Sequence, residues 1–120
     1  MGAIYDTATR TPTEILAGGH GTEARIAITV ASGIGVLNKG TVLGQYNTGA
    51  ASGTFGIYSN TGSNGLDTAK GILADRVDAT ASGVNATMYT HGRFYREKIS
   101  GLDSNAETDL KNCEFVDWNV

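Results

Sequence analysis

Cysteine is almost missing from this chain: Cys113 is the only one in 120 residues. A lone thiol closes no internal disulfide and cannot assemble a zinc site by itself. The chain is therefore expected to be made in a reducing compartment and held together by packing. Proline is as scarce, with Pro12 alone against 17 glycines. Glycine without proline excludes a collagen repeat or a proline-rich linker and suits short strands joined by tight turns. Charged residues make up 18%, below the roughly 25% of average soluble domains.

Basic residues are few and nowhere clustered, and the net charge is −3. A nucleic-acid binder needs a basic stripe to displace counterions from phosphates, so that partner class is set aside. No apolar run approaches the roughly 18 residues of a membrane span, which sets a membrane partner aside too. Met1–Asp6 lacks the basic and apolar succession of a secretory signal. It also carries Asp6 where a myristoylation start wants Ser or Thr.

Histidine is limited to His20 and His91, which leaves little for acid–base chemistry. His20 lies in a glycine run, where nothing would hold a base within reach of a nucleophile. His91, ahead of Gly92, reads as a turn residue. Gly18-Gly19-His20-Gly21 is followed by a strand pattern rather than a helix, so it reads as a hinge and not as a phosphate loop. Asp67, Asp75, Asp78 and Asp103 lack calcium-loop spacing and read as turn caps. Asn85-Ala86-Thr87 matches a glycosylation acceptor that has no secretory route to use it. Cys113 has no flanking cation and reads as an inert, buried thiol. No catalytic, metal or cofactor site emerges, and the chain is read as a non-enzyme.

What is present is extended structure. Threonines recur at every second position from Thr7 to Thr13, including Thr9 and Thr11, a spacing suited to extended chain. Ile4, Tyr5, Ile15 and Leu16 are the only apolar anchors near them, too few to fix the segment on a core. Residues 1–22 are thus expected to form an arm with its hinge at Gly18, Gly19 and Gly21, and residues 23–120 a β-rich domain. Ile26, Ile28 and Val30 alternate with polar or small residues, as do Val84, Ala86 and Met88, which predicts half-buried strands. Further strands are expected over Gly40–Tyr46, Phe55–Tyr58, Thr68–Leu73 and Phe115–Trp118. Asn47–Thr54 and Ser59–Asp67 read as loops. Ser104 with Glu107 reads as a capping box for a two-turn helix bearing Ala106 and Leu110 on one face and closing near Asn112. The sum is a mainly β fold with one short C-terminal helix.

An arm with exposed backbone groups is a strand seeking a sheet edge. Ordering each residue costs about 1–2 kcal/mol, while each new hydrogen bond returns a net of about 0.5–1.5 kcal/mol. One arm alone comes out near neutral. Apolar anchors, and several arms linked in one oligomer, make it effective. That arithmetic points to an oligomer meeting a repetitive partner.

The ordered segments Leu37-Asn38-Lys39-Gly40-Thr41-Val42-Leu43-Gly44, Gly53-Thr54-Phe55-Gly56-Ile57-Tyr58, Ala69-Lys70-Gly71-Ile72-Leu73-Ala74-Asp75, Val84–Tyr89 and Leu102-Asp103-Ser104 resemble the lambda-type bacteriophage head decoration, or capsid-cementing, proteins. The resemblance runs over roughly residues 13 to 118, with Gly40, Thr41, Leu43, Gly44, Gly71, Ile72 and Leu73 as its most specific positions. It implies a β-clip-like fold and a homotrimer on the outside of an expanded phage head, at threefold and quasi-threefold sites. It also implies that the arm, through Ile4, Tyr5, Thr11, Thr13, Ile15 and Leu16, adds a strand to the major capsid protein. Localisation on the virion, after synthesis in the host bacterial cytoplasm, follows from the same resemblance. A trimeric fibre or tail-associated adhesion module is the alternative, distinguished by affinity for host surfaces rather than for capsid shells.

Overall fold

The computed structural model describes residues 24–117. Its elements are β1 (Ala24–Val30), β2 (Val36–Leu37), β3 (Val42–Gln45), β4 (Phe55–Ile57), β5 (Ala69–Leu73), β6 (Val77–Asp78), β7 (Val84–Tyr95), α1 (Ser104–Asp109) and β8 (Cys113–Val116). A single turn of 3-10 helix, Arg96–Lys98, follows β7. The fold is mainly β with one short helix, as the alternating patterns imply. The assigned arm, residues 1–22, lies outside the described residues, as does Trp118.

The two strands read from alternation pair with each other. β1 runs antiparallel to β7, setting Ile26 opposite Met88, Ile28 opposite Ala86 and Val30 opposite Val84. Both apolar sets therefore share one face. β7 passes on to β5, β5 to β3 and β3 to β4. β4 returns to β1 through one parallel pair, Val30 beside Phe55, which closes a five-strand, barrel-like ring. β2 and β6 form a separate ribbon beside it. Val36-Leu37 was not expected as a strand; two residues carry no periodicity to read.

Packing is two-sided at the middle of the ring. Val30, Leu43, Phe55, Leu73 and Met88 belong to one buried cluster. Val42, Ile72, Tyr89, Phe94, Ala106 and Leu110 belong to another. Neighbours along β3, β5 and β7 thus point into different clusters, which is why Val42-Leu43, Ile72-Leu73 and Met88-Tyr89 are apolar at adjacent positions. Tyr89 meets Phe94 edge to face, with centroids 5.6 Å apart, and Phe94 stacks on Phe115 at 5.9 Å.

Three expectations need correction. His91 lies within β7 rather than at a turn, because β7 continues to Tyr95 and its last four residues pair in parallel with β8. The helix cap is Asp103 rather than Ser104. Asp103 is extended (φ −141°, ψ −179°), and its carboxylate accepts the Ala106 amide at 2.8 Å. Ser104 is then the first helical residue, and the Glu107 side chain pairs with Arg96, so the capping box does not form. The helix also ends sooner, with its C-cap at Leu110 rather than near Asn112. Ala106 and Leu110 are both buried on one face, as their spacing implies.

Candidate docking surface

The resemblance-bearing residues of the body converge although the sequence keeps them apart. β3 and β5 are adjacent, with Val42 opposite Ile72, Leu43 opposite Gly71 and Gly44 opposite Ala69. The Gly40 amide donates to the Leu73 carbonyl at 2.8 Å, and the Thr41 hydroxyl donates to the Asn38 carbonyl at 2.7 Å. Leu43, Ile72 and Leu73 are fully buried. Gly71 is needed for close approach: a Cβ there would stand 2.5 Å from the Tyr89 carbonyl oxygen and 2.6 Å from Met88 Cγ. These seven positions build the middle of the ring and offer no outward chemistry.

Carboxylates fasten the C-terminal part to this sheet. Tyr58 donates its hydroxyl to Asp103 Oδ1 at 2.9 Å. Burial, that hydrogen bond and the negative charge of Asp103, Asp109 and Asp67 push the Tyr58 hydroxyl up to about 12. At the other end of α1, Asp109 Oδ2 accepts the Ala69 amide at 3.0 Å. Arg96 bonds Glu107 on the helix, Asp117 at 3.2 Å and the Phe115 carbonyl at 3.3 Å. One guanidinium thus ties the 3-10 turn, α1 and the chain beyond β8. Asp78, also expected to cap a turn, accepts the Thr80 amide at 3.0 Å, and the hydrogen bonds from Thr80 lower its pKa.

Among the described residues, no group of three or more His, Cys, Asp or Glu side chains could hold a metal ion. No helix there is long and apolar enough to cross a membrane. Cys113 is half-buried, and burial pushes its thiol up to about 11.

The surface feature that sequence reasoning missed is a groove of roughly 650 Å³ lined by Ile26, Ile28, Gln45, Gly53, Phe55 and Asn85, among others. It lies where β1 and β4 diverge beyond their single paired position. Gln45 donates to the Gly53 carbonyl at 3.1 Å and holds the Asn47–Thr54 hairpin loop against one wall. Exposure along the inner face of β1 rises from 0% at Val30 through 7% at Ile28 to 45% at Ile26. Alternation marked Ile26 as inward-facing; only the strand order shows that nothing described roofs it. The expected arm residues Ile4, Tyr5, Thr11, Thr13, Ile15 and Leu16, and the hinge glycines 18, 19 and 21, lie outside the described residues.

Among the described residues the fold is thus a small five-strand barrel packed by two apolar clusters, with a groove where β1 and β4 diverge. The chain belongs to the family of the bacteriophage lambda head decoration protein D, whose family model matches residues 4–117. That family is a class of structural phage capsid proteins, and membership gives the chain a capsid-decoration role and a place on the virion capsid. No curated protein matches it.

Proposed function

We propose that this protein cements the outer surface of an expanded phage head as a homotrimer at threefold and quasi-threefold positions. In this reading residues 1–22 are the capsid-binding arm, which adds a strand to the major capsid protein. Ile4, Tyr5, Thr11, Thr13, Ile15 and Leu16 are its contacts, and Gly18, Gly19 and Gly21 its hinge. The observation that carries the reading is the reach of the family match, which begins at residue 4 and so takes in nearly the whole arm as well as the body. The energetics are those of linkage: a ligand that binds only the expanded lattice stabilises that lattice. Three linked arms would turn a near-neutral strand addition into firm attachment.

The test is a binding titration against expanded and unexpanded shells, with the intact chain and with a chain lacking residues 1–16. Saturable binding to expanded shells alone, sharply weakened by the truncation, is expected. Equal binding to both shell forms removes the expansion dependence, and unchanged occupancy by the truncated chain removes the arm.

A further inference from the structure

Strand β1 carries an open edge whose polarity can be read from one bond. The Ala31 amide donates to the Phe55 carbonyl at 2.9 Å. Successive residues of a strand turn their N–H and C=O groups to opposite sides, so Thr29 and Ala27 aim theirs the same way as Ala31. β4 accompanies that side only at Val30, and among the described residues no other strand lies along it. The groove occupies this side, with Ile26 at 45% exposure continuing the core face beyond its cover. Unpaired strand edges beside apolar surface are features that proteins ordinarily cover.

We propose that, in the free protein, Thr13–Ala17 of the same chain lies antiparallel along this edge, returning through residues 18–23, with Ile15 opposite Ile26. Several observations select this occupant over a second copy. The described chain begins at Ala24, at the start of β1 and at the groove's end, so the upstream residues are already there. The connection is short and holds Gly18, Gly19 and Gly21, the residue type that hairpin turns require. Period two then sets Thr13 and Ile15 on the face of Ile28 and Ile26. It also sets Glu14 opposite Ala27 and diagonal to Arg25, where opposite charges attract. Ile15 would supply the missing roof.

The inference rests on the proposed reading of residues 1–22 as an arm and adds a regulation to it. A root held on its own body leaves residues 1–12, with Ile4 and Tyr5, to make first contact. Ile15 and Leu16 become available to the capsid only on release. The apparent capsid affinity is lowered by the fraction of molecules held closed.

The test uses free protein without capsids, so its failure is distinct from a failure of the cementing reading. Amide hydrogen exchange of Ala27 and Arg25, which share the Ala31 side of the strand and lie opposite Glu14 and Leu16 in this register, is compared between the intact chain and a chain lacking residues 1–17. Protection at least about tenfold greater in the intact chain is expected; equal rates overturn the proposal. A second measurement fixes the occupant: an I15C/I26C pair in a C113S background is oxidised. Ile26 turns its own backbone groups away from this edge, so it faces Ile15 at a close, non-hydrogen-bonded position within disulfide reach. A bridge within one chain supports the assignment, and a bridge between chains overturns it in favour of a second copy.

Discussion

Tyr58 and Asp103 share a single hydrogen bond of 2.9 Å that joins the end of β4 to the start of α1, 45 residues further on. The accepting oxygen, Oδ1, is also the one that takes the Ala106 amide at 2.8 Å. One carboxylate therefore caps a helix too short to stand alone and satisfies a tyrosine hydroxyl in the core.

D103A removes both functions together. Losing the cap costs about 0.5–2 kcal/mol, and stranding a buried hydroxyl costs about 1–3 kcal/mol. Chemical denaturation should show a combined loss of about 1.5–5 kcal/mol. Y58F leaves the cap in place and should cost about 1 kcal/mol. Equal losses in the two variants would mean that the cap contributes nothing.

The same pair sets a limit at high pH. Burial and the neighbouring Asp103 push Tyr58 up to about 12 from the ordinary 10.0. The folded state holds this proton more tightly than the unfolded state does, so the stabilisation is complete below the ordinary tyrosine range. It declines as pH rises through the folded value. Ultraviolet titration should show one of the five tyrosines ionising last, with unfolding accompanying it, and Y58F should abolish that late step.

Gly71 and Gly33 separate steric from conformational demands. A Cβ at Gly71 meets the Tyr89 carbonyl oxygen at 2.5 Å and Met88 Cγ at 2.6 Å, and G71A should cost about 3 kcal/mol by overpacking. Gly33 has φ +82° with nothing within 4 Å of a Cβ, so G33A should cost only about 1 kcal/mol of backbone strain. Thermal melts of the two variants check the order.

Cys113 should be a slow nucleophile. Burial raises its thiol to about 11 from 9.0, which cuts the thiolate fraction at neutral pH, and the thiolate is the reactive form. Alkylation of the folded protein should proceed well below the rate for the denatured chain and quicken with rising pH.

The strand content was legible wherever one face is solvated. Ile26, Ile28 and Val30 alternate, as do Val84, Ala86 and Met88, and the two sets prove to be partners. Their pairing was not legible, because it joins residues more than fifty positions apart and no local pattern encodes it. The same holds for Leu43 and Gly71, which family resemblance singled out separately and the sheet places side by side. The cap was misread by one residue because Asp103 and Ser104 are both good capping residues; what favours Asp103 is Tyr58, remote in sequence. His91-Gly92 carries a turn signal that pairing of Gly92 with Cys113 overrides. The groove was invisible because it is a gap between strands, and a gap has no residue pattern of its own.

The ring of strands is closed at β1 and β4 by one residue pair, whereas β1 and β7 are joined along seven. Under tension the molecule would split along that seam first, peeling β4 from β1 while the longer ladder stayed zipped. A module fixed to a shell under internal load thus has a preferred line of yielding, and it runs beside Phe55 rather than through the helix-braced side of the sheet.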